Sequence, residues 1–355
     1  DAGFLNNRLT AELDVYNKVT DGILTTPNLH LTMGIKTPPT MNTAEVTNRG
    51  FELTVGWKDH VGDFNYAVST NFSYNHNEVT KYLGKYEAGW VEKDGKKVWQ
   101  SNIGDVSVDK DKGRIVEGHP IKEYYTLNTY SGNGTHFNSD GSVNINGGPK
   151  DGMIRTEGDM KWLNAMIDAG YKFMPNQSVG RNNIYYGDLI YADLNGDGIY
   201  GSSYDYDFQG SSAMPKFGYG INISASWKNF DLSMLWAGNG GFKLYWEEDP
   251  YNSVAIRNGF ATSERVANDH YFYDPENPTD SRTNLNGYIP RLVENSKQSR
   301  QTSNYYLYNG TYMKLKNLTI GYTLPVTLTE KISAERVRVY LSGENLFTIT
   351  SFPGQ

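Results

Sequence analysis

The chain has 355 residues with 33 Lys and Arg against 40 Asp and Glu, so its net charge is −7 and no basic surface suggests a nucleic-acid partner. It has no cysteine, which excludes disulfides, thiolate metal sites and cysteine nucleophiles. Its mean hydropathy of −0.60 and lack of any apolar run near ~18 residues exclude a helical membrane protein, whereas 27 Tyr and 7 Trp argue against disorder and leave a β membrane protein open.

Strict alternation of apolar and polar residues predicts long β-strands. The predicted strands are 9–19, 46–58, 63–76, 216–228, 230–242, 311–324 and 336–349. In the sixth strand the alternation slips, because Leu315 is odd-numbered whereas Leu318 and Ile320 are even-numbered. An extra residue moves the following side chains to the other face, so we expect a β-bulge near Lys316–Asn317.

The two faces of these predicted strands differ in charge. The polar face carries the charged residues Glu12, Asp14, Glu52, Lys58, Lys314, Lys316, Arg336 and Arg338, and aromatic residues lie towards the strand ends. Strands of about 11 to 14 residues exceed the usual ~5–6 and suffice for tilted membrane strands. A transmembrane antiparallel barrel with aromatic girdles and a large soluble sandwich both fit this pattern.

Connection lengths favour the barrel. Long segments at about 20–46, 77–215 and 243–310 alternate with short connections, as extracellular loops and periplasmic turns do in outer-membrane barrels. We expect Gly118–Ser131 to form a further strand with a partner near Asn182–Asp193, giving seven or nine strands in all. Because an open sheet of that size would leave bare edges in lipid, the chain should form part of a barrel.

A series of short motifs follows in one order along nearly the whole chain. They are NRLTAELDVYNKVTDGIL, NRGFELTVGW, NFSYNHNEV, EGHPI, YADLNGDG and YMKLKNLTIGYTLP followed by RVRVYLSGENLFTIT. The series resembles the C-terminal barrel of SusC-like TonB-dependent transporters, and the GYTLP and SGENLFTIT motifs are its most specific parts.

The resemblance implies a 22-stranded barrel in the outer membrane of a Gram-negative bacterium of the Bacteroidetes type, in contact with outer-membrane lipid. It implies active import of oligosaccharides or oligopeptides, driven by the TonB complex, with a SusD-like surface lipoprotein as a lid. Residues 1–355 are then expected to be the C-terminal portion of the barrel. The plug domain, the N-terminal region that contacts TonB and the final strand are expected to lie outside them.

One local motif points to a metal ion. Residues 193–198 read DLNGDG, the opening of an EF-hand-type calcium loop, in which Ca²⁺ takes oxygen ligands from alternate positions. The expected ligands are Asp193, Asn195, Asp197, the backbone carbonyl of Ile199, and Asp205 or Asp207 in place of the acid missing at the twelfth position. The alternative is a tight turn without an ion. The resemblance supports a structural Ca²⁺ that orders an extracellular loop.

Other chemistry is poorly represented in the sequence. The six histidines have no metal-site spacing and no nucleophile motif is present, so we predict that the chain is not an enzyme. Aromatic residues of the long segments could stack on sugar rings or peptide side chains, or simply pack the loops together. The substrate-binding candidates are Tyr185, Tyr186, Trp246 and Tyr251. The alternative function is a soluble lectin-like β-sandwich that binds carbohydrate with the same aromatic residues.

Overall fold

A computed structural model describes residues 1–26, 39–107, 112–175, 184–246, 262–293 and 297–354. Strands dominate its regular structure. In chain order they are β1 (Ala2–Phe4), β2 (Leu9–Thr25), β3 (Met41–Val61), β4 (Phe64–Lys81), β5 (Ala88–Lys93), β6 (Lys96–Ser101), β7 (Gly113–Arg114), β8 (Glu123–Leu127), β9 (Lys172–Phe173), β10 (Ile199–Tyr200), β11 (Tyr206–Phe208), β12 (Phe217–Trp227), β13 (Phe230–Gly240), β14 (Lys243–Tyr245), β15 (Leu307–Asn309), β16 (Tyr312–Thr323) and β17 (Arg338–Thr350).

Helices are few and short. In the described residues they are α1 (Ile103–Val106), α2 (Glu157–Asp168), α3 (Glu264–Asp269) and α4 (Val326–Thr329), with 3₁₀ turns at Asn304–Tyr306 and Glu330–Ile332. No helix in these ranges has the length and apolar character needed to cross a bilayer.

One antiparallel sheet of eight strands forms the body of the protein, in the order β1-β2-β3-β4-β12-β13-β16-β17. β1 has three residues, and the other seven strands have 11 to 21 and confirm the seven long strands predicted from alternation. Because each pair is antiparallel, neighbouring strands satisfy one another's backbone groups. β1 and β17 are the outer strands, so the sheet does not close on itself within this chain.

The strand register aligns apolar residues with apolar residues, and polar with polar, in continuous rows across the whole sheet. One apolar row joins Leu9, Trp57, Val68, Ile223, Met234, Leu318 and Gly343. On the other face a polar row joins Asp14, Glu52, Ser73, Gly218, Asn239, Tyr312 and Thr350. The apolar face is not covered by a second sheet in the described residues, and Val15, for example, is 77% exposed. A soluble sandwich would bury this face, so the sandwich alternative does not describe the fold.

The predicted bulge is confirmed. Leu235 of β13 pairs with Asn317, while the next residue, Trp236, pairs with Leu315, so Lys316 is the extra residue. The insertion returns Leu315 and Leu318 to the same face although one is odd-numbered and the other even-numbered.

Aromatic rings gather at both ends of the apolar face. At one end Phe51, Phe72, Tyr74 and Phe217 have ring centroids 5.6–6.1 Å apart. At the other end the rings of Phe230 and Tyr322 are 4.7 Å apart, and Trp227 pairs with Phe230 and Phe64. The ten residue steps of β12 between the two groups span roughly 34 Å along the strand, or about 24 Å at a tilt near 45°. That height matches the apolar band of an outer-membrane barrel.

An ion pair crosses a strand on the polar face near the short β12–β13 turn. Arg338 of β17 reaches over Gly321 of β16, and its Nε donates to Asp231 Oδ1 of β13 at 2.9 Å. A Cβ on Gly321 would lie 2.4 Å from the guanidinium, so a larger residue there would displace Arg338 from this position. The charge pair thus ties three strands together at one end of the sheet.

Two strands extend further than alternation predicts. β2 continues to Thr25 and β3 begins at Met41, so both enter the segment 20–46 that the sequence predicts as a loop. Their extensions pair through Val19↔Thr47 and Leu24↔Asn42. Register shifts between Thr20 and Leu24 break the period of two there, so backbone pairing continues without the alternation that marks a strand in the sequence.

The described residues between β4 and β12 add no strand to the large sheet. Gly118–Ser131 contains β8, but β8 pairs with β7 and β11 in a separate small sheet. The described part of its predicted partner, 184–193, forms only isolated bridges. β4 pairs directly with β12 from Tyr74↔Phe217 to Phe64↔Trp227, which leaves no gap for an inserted pair. The predicted extra pair of crossings is therefore wrong.

The long segments instead fold into a compact body, which we call the loop cap: the described parts of 82–215 and 243–310. Its core holds most of the fully buried large side chains, including Trp162, Met166, Tyr191, Tyr271 and Tyr306. Both segments thus contribute to one core. Because those residues are widely separated in sequence, the cap is held by tertiary packing more than by regular secondary structure.

Helix α2 is the centre of this core. Its N-cap residue Thr156 and Asp159 form a capping box, and His136 Nε2 lies 2.8 Å from Asp159 Oδ1. Trp162 on α2 is 0% exposed, lies 5.2 Å from the ring of Tyr130, and donates from Nε1 to the carbonyl of Asn144 at 2.7 Å. The helix is therefore anchored at its start by capping and along its length by an aromatic contact.

The faces of the sheet can be tested by charge substitution. We expect Ile221→Arg to block barrel assembly, because an arginine on the lipid face near the midplane costs ~2–4 kcal/mol. Leu232→Arg, on the same face but two residues from Phe230 at its end, should impair assembly less. Asn222→Arg, on the polar face beside Ile221, is the matched control and should assemble. Heat-modifiable migration of the native protein in the outer-membrane fraction measures assembly, and equal assembly of all three variants would contradict the assignment of faces.

The independence of the cap core can be tested with Trp162→Ala. Loss of a fully buried Trp costs ~3–5 kcal/mol, which should loosen the cap while the sheet still assembles. Limited proteolysis of membrane-inserted protein should show new cleavage within 112–215. Ile145→Ala, at an exposed position of the cap, should leave the digestion pattern unchanged. Failure of Trp162→Ala to reach the membrane would instead mean that cap and sheet fold as one unit.

Candidate functional site

The DLNGDG motif, residues 193–198, forms a tight turn closed by its own hydrogen bonds. The carboxylate of Asp193 accepts from the N–H groups of Gly196 at 2.7 Å, Asp197 at 3.1 Å and Gly198 at 2.8 Å. Gly196 and Gly198 have φ of 70° and 81°, a region in which glycine is favoured. The turn is thus specified by one acid and two glycines.

The other predicted ligands surround this turn. Asp205 is 0% exposed, and its carboxylate accepts from the N–H groups of Leu194 at 2.9 Å and Ser202 at 2.7 Å. Burial raises the pKa of the Asp205 carboxyl, although these hydrogen bonds oppose the rise. Asn195 donates to Asp197 Oδ2 at 3.1 Å, and the N–H of Ile199 donates to Asp197 Oδ1 at 2.8 Å. Asp205 therefore links the turn to the segment that follows it.

The donor set suits calcium, but the turn also folds without an ion. Asp193, Asn195 and Asp197 present side-chain oxygens, and each carboxylate keeps lone pairs beyond those that accept N–H groups. In the ranges that the structure describes, no three His, Asp or Glu side chains are grouped as metal ligands would be. Calcium therefore stays a prediction for this turn.

A tryptophan from a neighbouring hairpin lies against the same turn. β5 and β6 form a two-stranded hairpin in which Trp90 pairs with Trp99, their ring centroids 5.6 Å apart. Nε1 of Trp90 donates to the backbone carbonyl of Asn195 at 2.9 Å. The hairpin position is thus coupled to the conformation of the turn.

Two of the four predicted substrate-binding aromatics lie together in a cavity of the loop cap. Tyr185 and Tyr186, with ring centroids 5.1 Å apart, line a cavity of about 560 Å³. Tyr273 packs edge-on against Tyr186 at 5.0 Å, and the Arg291 guanidinium lies 5.4 Å from the centroid of Tyr185. Tyr185 is 39% exposed, so its ring is accessible from solvent.

A third candidate, Trp246, does not line this cavity. Trp246 belongs to a separate aromatic cluster, where its ring lies 5.8 Å from Tyr308 and 5.2 Å from Phe352. The Arg265 guanidinium lies 5.2 Å from the Trp246 ring and donates to the Tyr308 hydroxyl. That cluster is internally packed. Tyr251 lies outside the described residues.

Sequence reasoning missed the arginines of the cavity. Arg282 and Arg291 line it beside Tyr185, and each is held by an aspartate: Arg282 by Asp280 and Arg291 by Asp188. Hydrogen bonds from Arg282 lower the pKa of the Asp280 carboxyl to about 2. The Asp280–Arg282 spacing was a local signal for one pair, whereas no local signal joins Asp188 to Arg291.

Comparison with known proteins shows what this chain is similar to. No protein-family model matches the chain. TonB-dependent receptor P3 of Formosa agariphila is 26% identical over 355 residues, and TonB-dependent receptor SusC of Bacteroides thetaiotaomicron is 23% identical over 356; each alignment covers 100% of this chain. Over its whole length the chain is similar to SusC-like TonB-dependent receptors. It spans only 29% and 28% of the lengths of these two relatives.

Solved structures agree on the fold. The chain superposes on the RagAB peptide transporter with a TM-score of 0.64 and on the RagAB peptide importer in its closed-closed state with 0.62. Sequence identity is 19% in both, and the alignments cover 99% of this chain and 30% and 31% of those chains. The fold is therefore part of a TonB-dependent transporter barrel, with an open sheet of eight strands.

Calcium binding by the 193–198 turn can be tested through Trp90. We expect chelation to loosen 190–210 and to change the tryptophan emission, because Trp90 donates to Asn195, while the barrel stays intact. Titrating Ca²⁺ back into chelated protein should reverse the change, and Trp90→Phe should abolish it. Emission and protease sensitivity that are the same with and without chelator would count against a bound ion.

Proposed function

We propose that this chain forms part of an outer-membrane barrel that imports oligosaccharides or oligopeptides in a TonB-dependent manner. The observation that carries the proposal is the two-faced sheet under a folded cap, aligned along its whole length with TonB-dependent receptors. Its apolar face suits lipid and its polar face suits a hydrated lumen.

The polar face supports transport of a hydrated solute. Asn71, Asn222 and Asn239 line a recess of about 450 Å³ on this face, together with small hydroxyl side chains and glycines. Uncharged amides and hydroxyls can exchange hydrogen bonds with sugar hydroxyls or peptide groups without holding one charge state strongly. Such a wall also suits contact with a plug domain, which in this proposal lies in a part of the receptor outside this chain.

The loop cap supports a role in substrate capture with a lid. In the proposed complex a SusD-like lipoprotein covers the cap, and energy arrives from the TonB complex through the plug. Exposed apolar side chains around the 193–198 turn and the β5–β6 hairpin offer a surface for such a partner: Trp90, Val91, Val98, Leu194 and Tyr204. The relatives bear the names of receptors and transporters, so the proposed role involves no covalent chemistry on the substrate.

Uptake by cells that carry the complete receptor tests this function. We expect labelled oligosaccharide or oligopeptide mixtures to accumulate in cells with the native receptor, and both removal of TonB and an uncoupler to abolish accumulation. Asn222→Arg, which adds charge to the lumen without touching lipid, should assemble yet slow uptake.

Two controls make the uptake result interpretable. Lys161→Gln, an exposed change on α2, should leave uptake unchanged. Affinity purification of the native receptor in detergent should recover a surface lipoprotein. Uptake that persists without TonB, or a receptor found outside the outer-membrane fraction, would contradict the proposal.

A further inference from the structure

In the part of the chain that the structure describes, the Tyr185 cavity of the loop cap is lined by basic side chains and by no acidic ones. Twelve described residues line it, and the ionisable cations among them are Arg282, Arg291 and, when protonated, His270. None of the twelve is Asp or Glu. The rest of the wall is aromatic, amide or aliphatic, with Tyr185, Tyr186 and Phe272 among its rings. A cavity of this kind offers hydrogen-bond donors and apolar faces, but no carboxylate acceptor.

Arg291 is fixed from behind by a buried carboxylate. Its Nε and Nη2 donate to the two oxygens of Asp188 at 2.8 and 2.7 Å, and the Asp188 side chain is only 1% exposed. Asp188 also accepts from the N–H of Tyr185 at 2.9 Å. The guanidinium is therefore held in one orientation beside the Tyr185 ring.

Arg282 repeats the arrangement at the solvent side. Its Nε and Nη2 donate to Asp280 at 3.0 and 2.7 Å, and its guanidinium lies 4.6 Å from the centroid of Phe272. The Arg282 side chain is 70% exposed. In the described part of the chain, Nη1 of neither Arg282 nor Arg291 donates a hydrogen bond to a protein acceptor.

We propose that this cavity binds a carboxylate group of the imported substrate. The proposal rests on the proposed import function for the source of the ligand. Each aspartate neutralises its arginine but also orients it, so recognition comes from directed N–H groups on Nη1 and from adjoining rings. An oxyanion on an apolar frame fits this wall, and two sources share that chemistry: a uronic acid sugar and the carboxylate of a peptide.

Matched ligand pairs test the proposal with the complete receptor purified in detergent. The sugar pair is trigalacturonate and its methyl ester; the peptide pair is N-acetyl-trialanine and its C-terminal amide. By calorimetry we expect the free acid of at least one pair to bind ~10-fold more tightly than its neutral partner, as charge-assisted hydrogen bonds allow. The pair that shows the preference identifies the source of the carboxylate.

Variants of Arg282 separate recognition from folding, because its exposed pair contributes little to stability. Arg282→Gln should reduce the preference for the acid to less than about threefold, and Arg282→Lys should restore it only in part, since an ammonium lacks the planar fork. Lys161→Gln removes a charge elsewhere on the cap and should keep the full preference. Equal binding of acid and neutral ligands, no saturable binding of either acid, or an unchanged preference in Arg282→Gln would overturn the proposal.

This outcome is independent of the transport test. Binding in detergent needs neither TonB nor a membrane potential. A receptor that imports normally but shows no carboxylate preference would overturn the cavity assignment alone, whereas carboxylate binding without TonB-dependent uptake would overturn the import function alone.

Discussion

Alternation of side chains across one continuous antiparallel ladder is the constraint on which the rest of this structure depends. A sheet that faces lipid must have every backbone group paired within the protein, and the ladder from β2 to β17 provides that pairing everywhere except at the outer edges of the sheet. Once the register is set, every second residue of every strand shares a face. A single unpaired extra residue would exchange the two faces. In a regular strand Leu315 and Leu318 would point to opposite faces, because one is odd-numbered and the other even-numbered. The bulge at Lys316 corrects this and keeps both side chains on the apolar face.

The sheet leaves the protein with an unusual distribution of burial. Strands β2 and β17 are largely exposed and the strands between them are mostly half-buried, whereas most of the large buried side chains lie in the loop cap. Two kinds of stability follow from this separation. The sheet depends on backbone pairing and on its surroundings, and the cap depends on a water-excluding core built around Trp162 on α2. A cap with its own core can hold side chains such as Tyr185 and Arg291 in place above a sheet whose strands contribute only a small buried cluster of Ala44, Val46 and Val79.

Alternation explains how much could be predicted from sequence. It marks the seven long strands and the bulge because the two faces meet different environments. It fails at the outer ends of β2 and β3, where register shifts between Thr20 and Leu24 break the period of two while backbone pairing continues. It also misleads at Gly118–Ser131, where an aromatic stretch looks like a crossing strand but is packed into the cap through β8. In the candidate site, neighbours in sequence such as Tyr185 and Tyr186 were found, but Arg291 was not, because only the folded cap brings it to Tyr185.

The excess of acidic residues in the chain has a structural role in the cap. Irregular loops leave backbone N–H groups without partners, and carboxylates are the acceptors that satisfy several at once. Glu117 accepts from the N–H groups of Tyr82 and Gly84, Asp159 from those of Arg155 and Thr156, and Asp205 from those of Leu194 and Ser202. Asp193 does the same within its turn.

This shared use of carboxylates explains why the 193–198 motif is ambiguous in sequence. An aspartate at that spacing closes a turn whether or not it also binds an ion. Asp188 holds a side chain as well as the backbone, because its carboxylate accepts from both the Tyr185 N–H and the Arg291 guanidinium. The acids of the cap thus act mainly as hydrogen-bond acceptors that hold loop segments and side chains in place. The groups that face the cavity are therefore the arginine donors and the aromatic rings.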